Sequence, residues 1–415
     1  MEAVFENGMW VIRLSMIQTV AMAVITYYLG VFIRSKVAIL QRLSMPTPVI
    51  GGMILAVILS VLQAYRVLTV QFDSTLQTLL MLAFFTTIGL MASIKVVKQG
   101  GKLLLWFLIA VSILAVLQNV LGMSLASLMG LDKHYGILTG GVSMMGGLGT
   151  SAAFGPYFEQ EYGIQGATAV AITSATFGMA GALIVGGPFG EWVIHKYKLQ
   201  TPKDVPVPEP ELHIPEDLKA DITEEHSAEK PTFTAELMKA TAVVVLCMAL
   251  GTIVSSFLGH FITLPAYIGS MIVAAVIRNI ADASKRFEIQ GEGLNAVADI
   301  SLVLFVTMAV NSLKLYELVN LAVPMAVILL AQCVLTLLFA WLVIFLLFGK
   351  SYDTLMLSVG GIGFSMGATA NGLAVMQAMA EKYGSNPRAW LIVSLVGAFL
   401  IDLVNAVIIT WMATL

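Results

Sequence analysis

The sequence predicts an all-α polytopic membrane protein of ten transmembrane helices and two re-entrant loops, arranged as a 5+5 inverted-topology repeat. Three observations predict it. The 415 residues are 58% hydrophobic and only 11% charged, with a mean hydropathy of +0.90, where a soluble domain carries about 25% charge. Ten segments reach the ~20 mostly apolar residues that a membrane helix needs. The two halves of the chain also match one another, in order.

The spans run over Leu14–Ile33, Pro48–Ala64, Leu76–Ser93, Leu103–Met129, Ile164–Pro188, Thr241–His260, Leu264–Ile280, Leu294–Leu313, Leu321–Leu347 and Ala389–Trp411. Two further stretches, Gly136–Gly155 and Leu355–Val375, are apolar but glycine-rich and make poor full crossings. They are expected to enter and leave on one side of the bilayer. Residues 200–232 differ in kind. Nine of the 25 acidic residues lie between Asp204 and Glu229, and six prolines fall between Gln200 and Pro231. Such composition cannot bury a core and reads as a solvated linker. It separates a first repeat, 1–199, from a second, 233–415.

Lysine and arginine orient the chain. With the N-terminus outside, Arg34, Lys36, Arg42, Lys95, Lys98, Lys102, Lys196, Lys198, Arg278, Lys285, Arg286, Lys350, Lys382 and Arg388 fall inside. Arg13, Arg66, Lys133 and Lys314 stay outside. Both termini are then external and the linker is cytoplasmic. No basic stripe offers a nucleic-acid surface. The two cysteines, Cys247 and Cys333, exclude a disulfide framework and read as small buried hydrophobes. The first ten residues contain Glu2 and Glu6 and lack the basic start of a secretory signal.

The repeat rests on ordered matches. Gln118 lies 28 residues before Gly146-Gly147-Leu148-Gly149, and Gln332 lies 28 residues before Gly360-Gly361-Ile362-Gly363. Tyr162-Gly163 answers Tyr383-Gly384, and Pro48-Val49-Ile50-Gly51 resembles Pro265-Ala266-Tyr267-Ile268-Gly269. Each half has five crossings, an odd number, so the second inserts upside down. Transporters of that plan bind substrate near the midplane, where broken helices meet. Irregular backbone survives at that depth only against protein or a water-filled cavity. The two loops are expected to meet there by their tips.

The loops carry suitable chemistry. The first offers Ser143, Gly146, Gly147, Gly149, Thr150 and Ser151; the second offers Ser365, Gly367, Ala368, Thr369 and Asn371. Glycine permits close backbone approach. A helix restarting beside it aims free N–H groups and a positive dipole end at an anion. No lysine or arginine lies deep in any span, so an anionic substrate would depend on such helix ends and on co-bound cations. The blander reading, that glycines only allow close packing, suits Gly178, Gly181, Gly186 and Gly187 in the fifth span.

Ionisable residues within spans are costly and mark function. Asp402 lies in the middle of the last span, with Asn405 one turn later on the same face. A carboxylate and an amide oxygen are hard ligands suited to Na⁺. Asp402 could instead pair with a substrate amino group or carry a proton. Gln118, Asn119 and Gln332 are also deep, and Thr173, Ser174 and Thr176 are possible minor ligands. Asp299, near a span end, reads as solvated. Aligning the Tyr-Gly pairs sets Asp402 opposite Gly181, so the charge breaks the symmetry.

An enzyme is the weaker reading. Gly363-Phe364-Ser365-Met366-Gly367 matches the Gly-x-Ser-x-Gly elbow of serine hydrolases. Its serine would need a base, and all five histidines (134, 195, 213, 226 and 260) lie in loops or at helix ends. No His, Cys or acid spacing suits a transition metal. An ion channel filtered by the paired loops would want a repeated acidic ring, which is missing.

The sequence resembles the sodium:glutamate symporter family over nearly its whole length. The matching stretches are Pro46-Thr47-Pro48-Val49-Ile50-Gly51-Gly52, Met81-Leu82-Ala83-Phe84-Phe85-Thr86-Thr87-Ile88-Gly89-Leu90, Gly146-Gly147-Leu148-Gly149-Thr150, Gly367-Ala368-Thr369 and Ile401-Asp402-Leu403-Val404-Asn405-Ala406. The resemblance implies a homodimer in a bacterial cytoplasmic membrane, with Na⁺-driven uptake of glutamate by an elevator-like motion. It implies no cofactor beyond Na⁺. Relatives often carry histidine where this chain has Leu148, His-Cys where it has Gly361-Ile362, and Pro-Thr where it has Ala370-Asn371. Those departures bear on the substrate, not on the fold or the ion. The expectation is Na⁺-coupled symport of glutamate or a similar small anionic amino acid. The rival of the same fold carries another organic anion, with protons as an alternative coupling ion.

Overall fold

The computed structural model describes residues 2–6, 8–43, 45–202, 232–258, 265–284 and 291–415. Most of the 200–232 linker, and the histidines at 213, 226 and 260, lie outside the described residues. The first half contains helices α1 (Met16–Lys36), α2 (Ala38–Arg42), α3 (Thr47–Ala64), α4 (Thr75–Met91), α5 (Ile94–Leu128), α6 (Lys133–Ile137), α7 (Gly147–Glu161) and α8 (Ala167–Tyr197). The second contains α9 (Phe233–Leu258), α10 (Ala266–Ser284), α11 (Glu292–Asn311), α12 (Ala322–Phe339), α13 (Tyr352–Ser365), α14 (Thr369–Tyr383), α15 (Pro387–Leu395) and α16 (Ile401–Ala413). Wide π-helical turns continue α6 over Leu138–Met145 and α12 over Ala340–Leu347, and join α15 to α16 over Val396–Leu400.

Among the described residues, eight helical stretches are long and apolar enough to cross a membrane. The two other expected spans form helices that fall short of that measure for different reasons. α4 has 17 residues, and α10 carries Arg278 and Asp282 in its last turns. These two helices pack together. A Cβ on Gly89 would come within 2.8 Å of the Ala274 side chain. Arg278, 4% exposed, bonds Asp282 at 3.0 Å and reaches the Leu90 carbonyl at 3.4 Å. Ser93 donates to Asp282 as well. The charge is affordable at a span end because it is paired and hydrogen-bonded. α8 overruns its expected end at Pro188 and continues to Tyr197.

Long apolar helices satisfy their own backbones, which makes them stable in lipid. Each buries only part of its circumference. On α12, Val323, Leu330, Val334 and Leu338 are exposed at helical spacing, as suits a lipid-facing stripe. Contact faces use small residues. A Cβ on Gly51 would overlap the Thr26 carbonyl of α1, and one on Gly269 would overlap Ser255 of α9. The same close approach of first and second helices thus recurs in both halves, at matched glycines.

The all-α expectation needs one correction. Strands β1 (Glu2–Glu6), β2 (Met9–Arg13) and β3 (Leu68–Gln71) form a small sheet in the order β1-β2-β3. β1 and β2 make an antiparallel hairpin about Gly8, whose φ of 78° suits glycine. β2 then pairs in parallel with β3. Five- and four-residue strands are too short for periodicity to reveal, and the partner lies far along the chain.

The glycine-rich stretches are longer and more helical than expected, running over residues 133–161 and 352–383. Each is two helical arms joined at a tip. In the first, His134 stacks on Tyr162 with ring centroids 4.6 Å apart, which brings the two ends together. In the second, Tyr352 Oη donates to Gly384 O at 2.6 Å, and Asn386 donates to Asp353 at 2.5 Å.

Candidate functional site

The hairpin tips are set by glycine. α7 restarts at Gly147, whose φ of 61° is left-handed. A Cβ there would also overlap the Gly367 carbonyl oxygen at the other tip. Only glycine fits both demands, so the tips touch where the sequence places them. The second chain break runs through Met366 to Ala368, after which α14 starts at Thr369. Two helix N-termini, at Gly147 and Thr369, therefore begin beside one contact point.

Around the tips lies a set of buried amides whose orientation is fixed by partners. Gln118 Nε2 donates to Ser365 O at 2.8 Å and to Thr336 Oγ1 at 3.3 Å. Gln332 Nε2 donates to Gln118 O at 2.7 Å. Asn405 Nδ2 donates to Gly141 O at 2.7 Å. Each nitrogen faces an oxygen, so the leftover atom of each amide is an oxygen. Those three oxygens are buried without a hydrogen-bond partner. Buried polar atoms are normally paired, and exceptions ask for an explanation. A bound cation is one that suits three amide oxygens.

Asn119 is oriented the other way round. Its Oδ1 accepts from Gly141 N at 2.7 Å, leaving Nδ2 unpartnered. Its oxygen is thus partly engaged, unlike those of Gln118, Gln332 and Asn405, and its free N–H suits an anion better than a cation. Asn119 and Asn405 grip the Gly141 N–H and carbonyl, beside Gly140, whose φ of −105° and ψ of −116° leave the helical region. The backbone groups freed at that break are met by side chains.

The hydroxyls divide. Ser143, Ser151, Thr173, Ser174 and Ser365 have buried hydroxyl oxygens without a partner. Thr176 instead donates to Ile172 O of its own helix at 2.8 Å. Thr369 donates to Gly397 O, and Asn371 Nδ2 to Met179 O at 2.8 Å. These two tie the second hairpin to its neighbours. Thr150 is 5% exposed and lies against Gly146, while Gly149 faces Phe84. Ala368 caps α14 in extended conformation. Asp402 is half-buried in the first turn of α16, after the π-helical turn.

Other sequence readings can be placed. Leu148 packs with Val49 and Phe305; Ile362 is fully buried, and Ala370 is exposed. Gly178 and Gly181 meet Met366, and Gly186 meets Val375, so α8 offers its small face to the second hairpin. Gly187 meets nothing within 4 Å, which removes it from that seam. Asp299 is exposed. Ser365 ends a helix and does not sit on a strand-to-helix elbow, so the hydrolase match is a coincidence of residues. Sequence reasoning missed Thr336, Gly141 and Tyr267. Threonine and glycine give no signal inside an apolar run.

Comparison with known proteins places the chain in a family. The family model for the sodium/glutamate symporter matches residues 12–385. The sodium/glutamate symporter of Escherichia coli (strain K12) is 36% identical over 398 residues, covering 96% of this chain and 97% of the relative. That of Haemophilus influenzae is 34% identical over 394 residues, covering 94% and 95%. Among solved structures, a sodium proton antiporter of Methanocaldococcus jannaschii superposes with a TM-score of 0.41 at 14% identity, over 96% of this chain and 97% of that one. With matches of this extent, the chain belongs to the sodium/glutamate symporter family of membrane transporters.

Proposed function

We propose that this chain couples the entry of Na⁺ to uptake of glutamate or a similar small anionic amino acid across a bacterial cytoplasmic membrane. The observation that carries the reading is the contact of two helix restarts, Gly147 and Thr369, beside buried amide oxygens without partners. The helix N-termini supply N–H groups and positive dipole ends for a carboxylate. Asp402 and the free oxygens of Gln118, Gln332 and Asn405, with Thr173, Ser174 and Thr176 as minor ligands, supply the cation site. Ser143, Gly146, Gly149, Thr150, Ser151, Ser365, Gly367 and Ala368 line the anion side with Gly147 and Thr369. Co-bound Na⁺ then offsets the substrate's charge in a site without lysine or arginine, which couples the two fluxes.

The topology proposed with it has ten crossings and two re-entrant hairpins. The halves, 1–199 and 233–415, are inverted about the linker 200–232. Arg13, Arg66 and Lys314 gather at the sheet end, where Gln63 donates to Tyr316 and Leu315 N to Ser60. Lys196, Lys350 and Lys382 fall at the other end, with Lys382 paired to Glu191 at 2.7 Å. That division supports external termini and a cytoplasmic linker. Homodimer assembly and an elevator motion of the hairpin-bearing part complete the reading.

In proteoliposomes, labelled glutamate should accumulate only under an inward Na⁺ gradient. Uptake indifferent to Na⁺ sinks the coupling. A panel of unlabelled competitors reads the substrate, and stronger competition by another organic anion than by glutamate overturns that choice.

A further inference from the structure

A polar cavity of about 410 Å³ lies between α7, the start of α8, α4 and the ends of α10 and α11, away from the hairpin tips. It shares none of the tip residues Gly146–Ser151 or 365–369. Its lining includes Tyr267 and Thr168, which are 0% and 8% exposed. Neither hydroxyl has a hydrogen-bond partner. The Tyr267 ring is held rigidly, stacked on Phe85 with centroids 4.1 Å apart and edge-on to Phe154 at 5.8 Å. The cavity also carries both signs of charge, Glu159 and Lys314. Glu159 accepts from Thr168 N at 2.9 Å, which sets its carboxylate beside the free Thr168 hydroxyl. Ser74, Gln77 and Ser312 add polar groups, and Ser312 is exposed to the surroundings.

We infer that this cavity is an outer vestibule that binds a zwitterionic amino acid before it reaches the hairpin tips. Glu159 meets the α-amino group, while Lys314 and the hydroxyls of Tyr267 and Thr168 meet carboxylate oxygens. Paired charges of opposite sign select a zwitterion over a simple anion, because an anion alone leaves Glu159 repelling it. The volume falls within the ~300–1,000 Å³ of small-molecule sites. Tyr267 lies in one apolar cluster with Phe399, and Leu403 packs against that cluster, so the vestibule floor adjoins the span that carries Asp402. This inference deepens the symport reading and takes its outer face from that topology.

Two measurements test it separately from transport. Ser312→Cys is labelled by a membrane-impermeant thiol reagent, with wild-type Cys247 and Cys333 as the background. Glutamate should slow that labelling at least several-fold, and glutarate, which lacks the amino group, should not. Equal protection by both ligands, or by neither, overturns the zwitterion site whatever the uptake assay gives. In uptake, Tyr267→Phe keeps the ring and removes the hydroxyl. It should raise KM roughly ten-fold with the maximal rate retained, as should Thr168→Val. An unchanged KM in both variants overturns the vestibule, while selective protection of Ser312→Cys by glutamate, in a protein whose wild type moves no glutamate, defeats only the symport reading.

Discussion

The two helical hairpins, 133–161 and 352–383, answer one another in arm length, in closed bases and in a glycine at each tip, yet they are secured in opposite ways. The first is gripped from outside. Asn119 of α5 and Asn405 of α16 hold the Gly141 N–H and carbonyl, and the hairpin's own Ser143 and Ser151 hydroxyls stay unpartnered. The second reaches outward with its own side chains, Asn371 to Met179 O and Thr369 to Gly397 O, beside a side-chain hold from outside by Gln118 on Ser365 O. Even the matched glutamines diverge: Gln118 crosses to Ser365 O, whereas Gln332 bonds the Gln118 backbone. Two hairpins of similar backbone therefore carry unequal polar contacts. The last span takes the inequality furthest, because the Tyr-Gly alignment sets Asp402 opposite Gly181, whose Cβ would sit 3.2 Å from Met366 Cε and 3.8 Å from Cys333 Sγ. A carboxylate has room in one half and sulfur neighbours in the other.

Asp402→Asn should have the largest effect. It keeps size and removes charge, so Na⁺-dependent uptake should fall by roughly 100-fold or vanish, in line with the cost of altering functional charges in spans. Wild-type kinetics would take Asp402 out of the site and restore equality between the halves. Gly147→Ala comes next. It meets both a left-handed φ and the Gly367 carbonyl, with a cost of about 1–3 kcal/mol from backbone strain alone. Thermal unfolding in detergent should drop clearly. The control Gly187→Ala, which meets no neighbour, should leave it unchanged.

Asn405→Leu should be milder, losing about 1 kcal/mol with its bond to the Gly141 carbonyl, which keeps the Gly146 N–H as a partner. It should also weaken Na⁺ activation, since it removes a free oxygen. Asn371→Leu should cost similar stability while leaving Na⁺ activation alone. If both variants shift Na⁺ activation equally, the contrast between the hairpins fails. The smallest effect belongs to Lys382→Gln at the base of the second hairpin. Its pair with Glu191 is exposed, and such pairs contribute about 0–1 kcal/mol.

The base of the first hairpin adds a pH dependence. Burial pushes the Asp132 carboxyl up, but the His134 backbone N–H, ring and charge, with Lys133, outweigh it and hold the group below the usual carboxylate value. A depressed carboxyl contributes its stability above the unfolded value and loses it as pH falls through the folded one. Asp132 should therefore support the hairpin base throughout neutral and mildly acidic pH. Below ordinary carboxylate pH, melting of wild type and Asp132→Asn should converge, which a pH series of melting curves checks.

Much of this was legible in the sequence because membrane physics writes large signals. Apolar length marks the spans, lysine and arginine suggest sidedness, and a glycine pair such as Gly146-Gly147 marks a helix break. The candidate site was legible as residue types: Gln118, Gln332, Asn405 and Asp402 stand out against an apolar background. Which atom of each amide stays free was not, because that depends on the partner it meets. Asn119 and Asn405 look alike in sequence, yet Asn119 spends its oxygen on an N–H and Asn405 spends its nitrogen on a carbonyl. Nor could spacing join β2 to β3, or seat Tyr267 on Phe85 with its hydroxyl in a polar cavity. The sequence alone determined the class of protein, its glycine breaks and its one deep carboxylate, since these follow from transfer into lipid and from local backbone sterics. The tertiary structure decided which polar atoms are satisfied and which remain to bind, since hydrogen bonding inside a membrane is settled by neighbours distant in the chain.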